Sequence, residues 1–165
     1  MFKLTLFVLG LSMVAAIPCE HEDLKKCTLT SLDLISLVGT YKSAFQQKLL
    51  DSGLIELKFM KHDDPKHLKL EVMKNGELLK TLTVKQNPSL AGQLDVVGDH
   101  KLCLLVLNSN EKHLILLHPL LGEDLWTIFL KGDSLLLPQD LKMATDRLKC
   151  TKLFTDKHDL NTLKL

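Results

Sequence analysis

From residue 54 onward, apolar and polar side chains alternate. Ile55, Leu57 and Phe59 stand against Glu56 and Lys58, and Leu68, Leu70 and Val72 stand against Lys69 and Glu71. Asn75-Gly76 follows at once, the strongest short signal for a two-residue hairpin. The chain returns with Leu82 and Val84 on one face. A period of two marks strands buried on one side. Upstream, Gly39-Thr40-Tyr41 opens a further strand, with Tyr41, Ser43 and Phe45 on a common face.

Beyond residue 92 the strands are shorter and recur at roughly ten-residue intervals, the rhythm of a sandwich or barrel. They cover 93–97, the apolar run 102–107, 113–117 after the turn Asn108-Ser109-Asn110-Glu111, and 125–130. The period then changes. Pro138-Gln139-Asp140 suits a helix start, with proline in the first turn and an acid near the positive end of the dipole. Leu141, Ala144, Thr145 and Leu148 fall on one helical face up to Cys150, so one helix is expected over 138–149. A last strand is expected over 151–154 and a loose polar tail from Asp156. No repeat or second domain is visible.

The N-terminus changes the picture of location. Lys3 is followed by an apolar run from Leu4 to Val14 and the small residues Ala15-Ala16. That is the pattern of a secretory signal over 1–16, too short for a spanning helix of roughly 20 residues. The expected mature part is a single domain over 17–165, secreted and extracellular. Removing Lys3 from the 21 basic residues balances the 20 acidic ones. A neutral domain has no electrostatic case for nucleic acid or an anionic membrane. Arg147 is the sole arginine, which speaks against a dedicated phosphate or carboxylate grip. Cys19, Cys27, Cys103 and Cys150 form an even set whose spacing fits no zinc motif, so two disulfides are expected, with three pairings open. No asparagine lies in an N-glycosylation sequon, since Asn87 is followed by proline.

The order of elements resembles a lipocalin. A cysteine near the mature start precedes a short helical turn, a Gly-x-aromatic opening strand, about eight strands and one helix. Leu37-Val38-Gly39-Thr40-Tyr41 is similar to the family's Gly-x-Trp segment, with tyrosine for tryptophan. Asn108 to Glu111 sits where the family has Thr-Asp-Tyr, without those residues, and Lys131 stands near the end of the eighth strand where the family has arginine. Ile17-Pro18-Cys19, Leu148-Lys149-Cys150 and Phe154-Thr155-Asp156 are most similar to the orosomucoid (alpha-1-acid glycoprotein) group. That group includes apolipoprotein M and the saxitoxin- and tetrodotoxin-binding plasma proteins. The resemblance implies an all-β fold, an eight-stranded antiparallel up-and-down barrel with a C-terminal helix packed on it. It also implies that the helix is tied to the N-terminal segment, by Cys150 to Cys19 first and to Cys27 second.

In such a barrel the apolar faces line one interior, with room for one small guest. The expected lining is Phe45, Ile55, Leu57, Phe59, Leu70, Val72, Leu82, Val84, Leu104, Val106, Leu116, Trp126 and Ile128, with Tyr41 packing the floor. It suits a lipid, steroid, retinoid or similar hydrophobe. The sequence holds no Gly-x-Ser-x-Gly, no His-Glu-x-x-His and no glycine-rich phosphate loop. No catalysis, cofactor or metal is expected. His62-Asp63-Asp64-Pro65-Lys66-His67 is turn chemistry rather than a metal site, and His113 and His118, five apart, point to opposite faces of one strand. An isomerase-type enzyme would need a reactive cysteine inside the barrel, where Cys103 is the only candidate by position. The main alternative is a secreted interaction or defence protein whose barrel is plugged and which acts through its surface.

Overall fold

The computed structural model describes residues 18–46, 54–120 and 125–151. The expected signal over 1–16, the tail, and residues 152–154 of the expected last strand lie outside the described residues; Thr151 is in a turn. A 3-10 turn at Pro18–Glu20 and a helical turn at Glu22–Lys25 lead to a second 3-10 turn, Leu34–Leu37. Eight strands follow: β1 Gly39–Gln46, β2 Ile55–Lys61, β3 His67–Lys74, β4 Glu77–Gln86, β5 Gln93–Val96, β6 Cys103–Ser109, β7 His113–His118 and β8 Leu125–Lys131. A helix, Pro138–Cys150, comes last. The strands close in sequence order into an antiparallel barrel, β8 pairing back onto β1. Closure leaves no edge strand among the described strands.

Alternation fixes what the barrel encloses. Leu57 pairs with Val72, Phe59 with Leu70, and Leu70 with Leu82. These neighbours share the inner face, whereas Lys58 and Glu71 form an outer pair. The Asn75-Gly76 turn is made with both residues at positive φ, 51° and 82°, which is what a tight hairpin requires. One end of the barrel is a floor. There the turn Leu34–Leu37 supplies two buried leucines, and the Tyr41 hydroxyl donates to the Leu37 carbonyl at 2.9 Å. Tyr41 meets Phe59 edge-on, with ring centres 5.8 Å apart. The Tyr41 hydroxyl is pushed up to about 12 by burial.

The helix covers the outside of β6, β7 and β8. Proline at its first turn and the Leu137 N–H donating to Asp140 Oδ2 at 2.9 Å define its start. Ala144 and Leu148 are buried, with Leu141 packed beside them. This produces a second apolar layer outside the barrel, built from Leu105, Leu107, Ile115, Leu117, Trp126 and Ile128 under Ala144 and Leu148. β7 is accordingly buried at all six positions.

Two disulfides anchor this outer layer. Cys19 joins Cys103 and Cys27 joins Cys150, each with Cα atoms 5.8 Å apart. The helix end is therefore tied to the N-terminal segment through Cys27 and not through Cys19, the first-choice partner from the family resemblance. Cys103 explains the difference: it faces outward from β6, where the 3-10 turn of Cys19 packs. Being outward and oxidised, it is no reactive thiol within the barrel.

Candidate functional site: the barrel interior

Ten of the thirteen expected lining residues come together. Ile55, Leu57, Phe59, Leu70, Val72, Val84, Leu104, Val106 and Leu116 belong to the inner cluster, and Leu82 packs against it. The other three do not. Phe45, Trp126 and Ile128 lie in the outer layer beneath the helix. On β8 it is Thr127 and Phe129 that point inward, so their neighbours Trp126 and Ile128 point out. On β1 the register shifts between Ser43 and Phe45, placing Phe45 opposite the outward Ile128. One extra residue at a bulge redirects the side chains that follow it. Leu68, Leu94, Val96, Leu114, Leu120 and Phe129 complete the interior. Most of this lining is inaccessible to water, at 0–1% exposure.

The interior is not wholly apolar. Towards the end opposite the floor it carries Ser43, Lys80, His118 and Thr127. Ser43 pairs with the inward Phe129, and its hydroxyl accepts from the Ile55 N–H at 3.0 Å. Lys80 pairs with the inward Val72 and stands two residues before Leu82, which puts it in the inward set, half-buried. His118 ends β7. Its Nε2 is 2.8 Å from Thr127 Oγ1, and its Nδ1 accepts from the Leu120 N–H at 3.3 Å.

These contacts assign the tautomer. A backbone N–H can only donate, so Nδ1 is the bare nitrogen of a neutral ring, and Nε2–H donates to Thr127 Oγ1. Neutrality is enforced. Burial, with the Lys80 charge facing it, pushes His118 down to about 3. His113, on the other face, is buried beneath the helix with Nε2 3.0 Å from Asn108 Nδ2. Burial lowers its pKa too, opposed by the Asp140 carboxylate and reinforced by Lys112.

The floor carries a further pair. The Lys131 ammonium lies 5.6 Å from the centre of the Tyr41 ring and donates to the Ser36 carbonyl at 3.2 Å. Lys131, the last residue of β8, thus lies beside the aromatic that opens β1. Gly39 is needed here. It has φ of +148°, and a Cβ on it would stand 2.8 Å from Lys131 Cε.

An eight-stranded up-and-down barrel, a 3-10 turn closing its floor, and one helix on its flank decide the fold. It is the lipocalin fold. Among solved structures, the lipocalin barrel resembles lobster apocrustacyanin A1, with a TM-score of 0.53, 16% identity and coverage of 76% of this chain and 75% of that one. It resembles apocrustacyanin C2 (0.53, 15%, with 74% of each chain covered) and insecticyanin from the tobacco hornworm Manduca sexta (0.52, 15%, with 79% of each covered). No family model and no curated protein matches the chain.

Outside the lipocalin barrel, the floor end bears a half-open cleft of about 640 Å³. It lies between Asp33, Lys66 and the turn Asn87-Pro88-Ser89. Among the described residues no group of three His, Cys, Asp or Glu side chains could hold a metal ion, and no helix is long and apolar enough to cross a membrane. The polar interior residues were missed in the sequence because a lone lysine, histidine or threonine on a mostly apolar strand gives no periodic signal.

Proposed function

We propose that this protein is a member of the lipocalin family and a secreted carrier of a small hydrophobic molecule, held inside the barrel without catalysis. The observation that carries this is the enclosure of a continuous aliphatic set, Leu57, Leu70, Val72, Leu104, Val106 and Leu116 among them, by eight closed strands. Apolar walls with few polar groups are the chemistry of a site for a hydrophobe. Two disulfides fit an exported protein, and residues 1–16 have the composition of its signal. We place it nearest the orosomucoid group. That placement rests on the sequence segments around Cys19 and Cys150 and on the bridge from the helix end to the N-terminal segment.

Native mass spectrometry of the protein recovered from secreting cells tests the carrier reading. A bound hydrophobe that leaves on mild activation is the expected result. Unliganded protein throughout, in the presence of serum lipids, would overturn it.

One observation favours a second reading, a plugged barrel acting through its surface. The lining from Ile55 to Leu116 is almost free of water contact, as close-packed side chains would be. The same spectra separate the two readings.

A further inference from the structure

We propose that the hydrophobe enters the barrel through its side. The route is a gap between the half of β4 farthest from the floor and the β5–β6 hairpin, and that hairpin is the gate. The inference rests on the carrier reading and adds its route of entry.

The gap comes from unequal strand lengths. β4 runs for ten residues, Glu77–Gln86, and β5 for four, Gln93–Val96. Their pairing covers only Val84 to Gln86, and one further bond runs from the Val97 N–H to the Thr83 carbonyl at 2.8 Å. Gly98 then turns the chain away at φ of +88°, a conformation that favours glycine. Asp99 closes the turn. Its N–H donates to the Val96 carbonyl at 3.2 Å, and its side chain accepts from the Lys101 N–H at 3.0 Å. The hairpin returns through Leu102, whose carbonyl accepts from the Val96 N–H at 3.1 Å. Glu77 to Leu82 therefore keep β3 on one side and pair with no described strand on the other. Alternate residues of an antiparallel ladder turn their N–H and carbonyl to the same side. Those of Thr81, two residues before Thr83, thus face the gap, and Thr81 is exposed.

Burial is the second observation. Leu82 faces inward beside Leu70, which is 0% exposed, yet Leu82 itself is only half-buried. Among the described strand residues of the inner cluster no other is so open. Across the gap Leu102, also half-buried, packs against the same cluster. Water thus reaches the lining on the β5 side of β4, while the β3 side is sealed. Leu78, Leu79 and Val97, at 57, 48 and 47% exposure, flank the gap outside, and apolar side chains exposed together suit an apolar visitor. The end of the barrel opposite the floor presents the polar Ser43, His118 and Thr127 instead. Residues 97–101 are all exposed, and a segment with so little buried surface opens at low cost.

The test joins the two banks. Thr81→Cys/His100→Cys places thiols on exposed positions, to be linked by a short bis-maleimide, and stopped-flow mixing follows a neutral fluorescent hydrophobe. The linked protein should take up and release the probe at least tenfold more slowly, with its equilibrium affinity within twofold of the unaltered value. The same variant unlinked should exchange the probe at the unaltered rate. So should Lys58→Cys/Glu71→Cys linked across the outer pair of β2 and β3. Unaltered exchange in the linked gap variant overturns the inference while the carrier reading stands. A second measurement needs no ligand: Leu82→Cys should react with a water-soluble maleimide at least tenfold faster than Leu70→Cys, and equal rates would overturn the gap. If the unaltered protein takes up no probe, the carrier reading falls and takes the inference with it.

Discussion

The Lys131 ammonium sits over the Tyr41 ring, 5.6 Å from its centre, and clamps the β8 end to the Ser36 carbonyl below the floor. A cation over an aromatic face contributes about 0.5–2 kcal/mol depending on how well water is excluded, and a hydrogen bond from a charged donor about 1.5–3 kcal/mol. Lys131→Met keeps the aliphatic stem and removes both. We expect it to lower stability by about 2 kcal/mol in urea unfolding. Gly39→Ala should cost more, because the new Cβ meets Lys131 Cε and the backbone stays at φ of +148°. Urea midpoints equal to that of the unaltered protein for both variants would contradict the clamp.

Acid should destabilise the fold through its buried histidines. The folded-state pKa of His118 is near 3, below its ordinary 6.5. Between those values the unfolded chain binds a proton that the folded chain refuses, so stability falls as pH drops from about 6.5 towards 3. The slope from one such group is about 1.4 kcal/mol per pH unit. His113, also lowered, adds in the same direction. Denaturation at pH 7 and pH 5 should show this loss, and His118→Gln should reduce it. A loss as steep in His118→Gln as in the unaltered protein would contradict the assignment.

Trp126 packs between the barrel wall and the helix, in the layer with Ala144 and Leu148. Trp126→Ala should cost about 3–5 kcal/mol, as large core truncations do, while the folded fraction keeps its affinity for an interior probe. Loss of affinity without loss of stability would place the tryptophan inside after all.

The bond between Cys27 and Cys150 closes a separation of 123 residues. On the chain-entropy account such a bridge contributes about 4–5 kcal/mol. The double variant Cys27→Ala/Cys150→Ala should be destabilised by that order. Peptide mapping without reduction should recover the Cys19–Cys103 and Cys27–Cys150 pairs. Recovery of Cys19 joined to Cys150 or to Cys27 would contradict the structure.

How legible the sequence was depended on how many faces of each strand are covered. β2 and β3 have one buried face, and Leu57, Phe59, Leu70 and Val72 could be assigned to the interior directly. β7 and β8 are covered by the helix as well, so apolar residues occupy both faces and alternation no longer tells in from out. Trp126 and Ile128 were misread for that reason. Phe45 was misread because the register shift after Ser43 leaves no trace in the hydrophobic pattern. The helix start was marked by Pro138 and Asp140. The disulfide pairing was not marked at all, since it depends on which side of β6 Cys103 occupies.

On the proposed function, the inner face of the barrel, and not the outer one, receives a hydrophobe. This is tested by equilibrium uptake of a hydrophobic fluorescent probe by the unaltered protein and by variants at neighbouring positions of β2 and β3. Burial of an apolar guest contributes about 25 cal/mol per Å², and a charge on the wall removes the reason for entry. Expected are micromolar uptake by the unaltered protein, its loss in Leu57→Lys and Val72→Lys of verified fold, and its retention in Lys58→Gln and Glu71→Gln. No uptake of the probe by the unaltered protein, or equal uptake by all four variants, would contradict it.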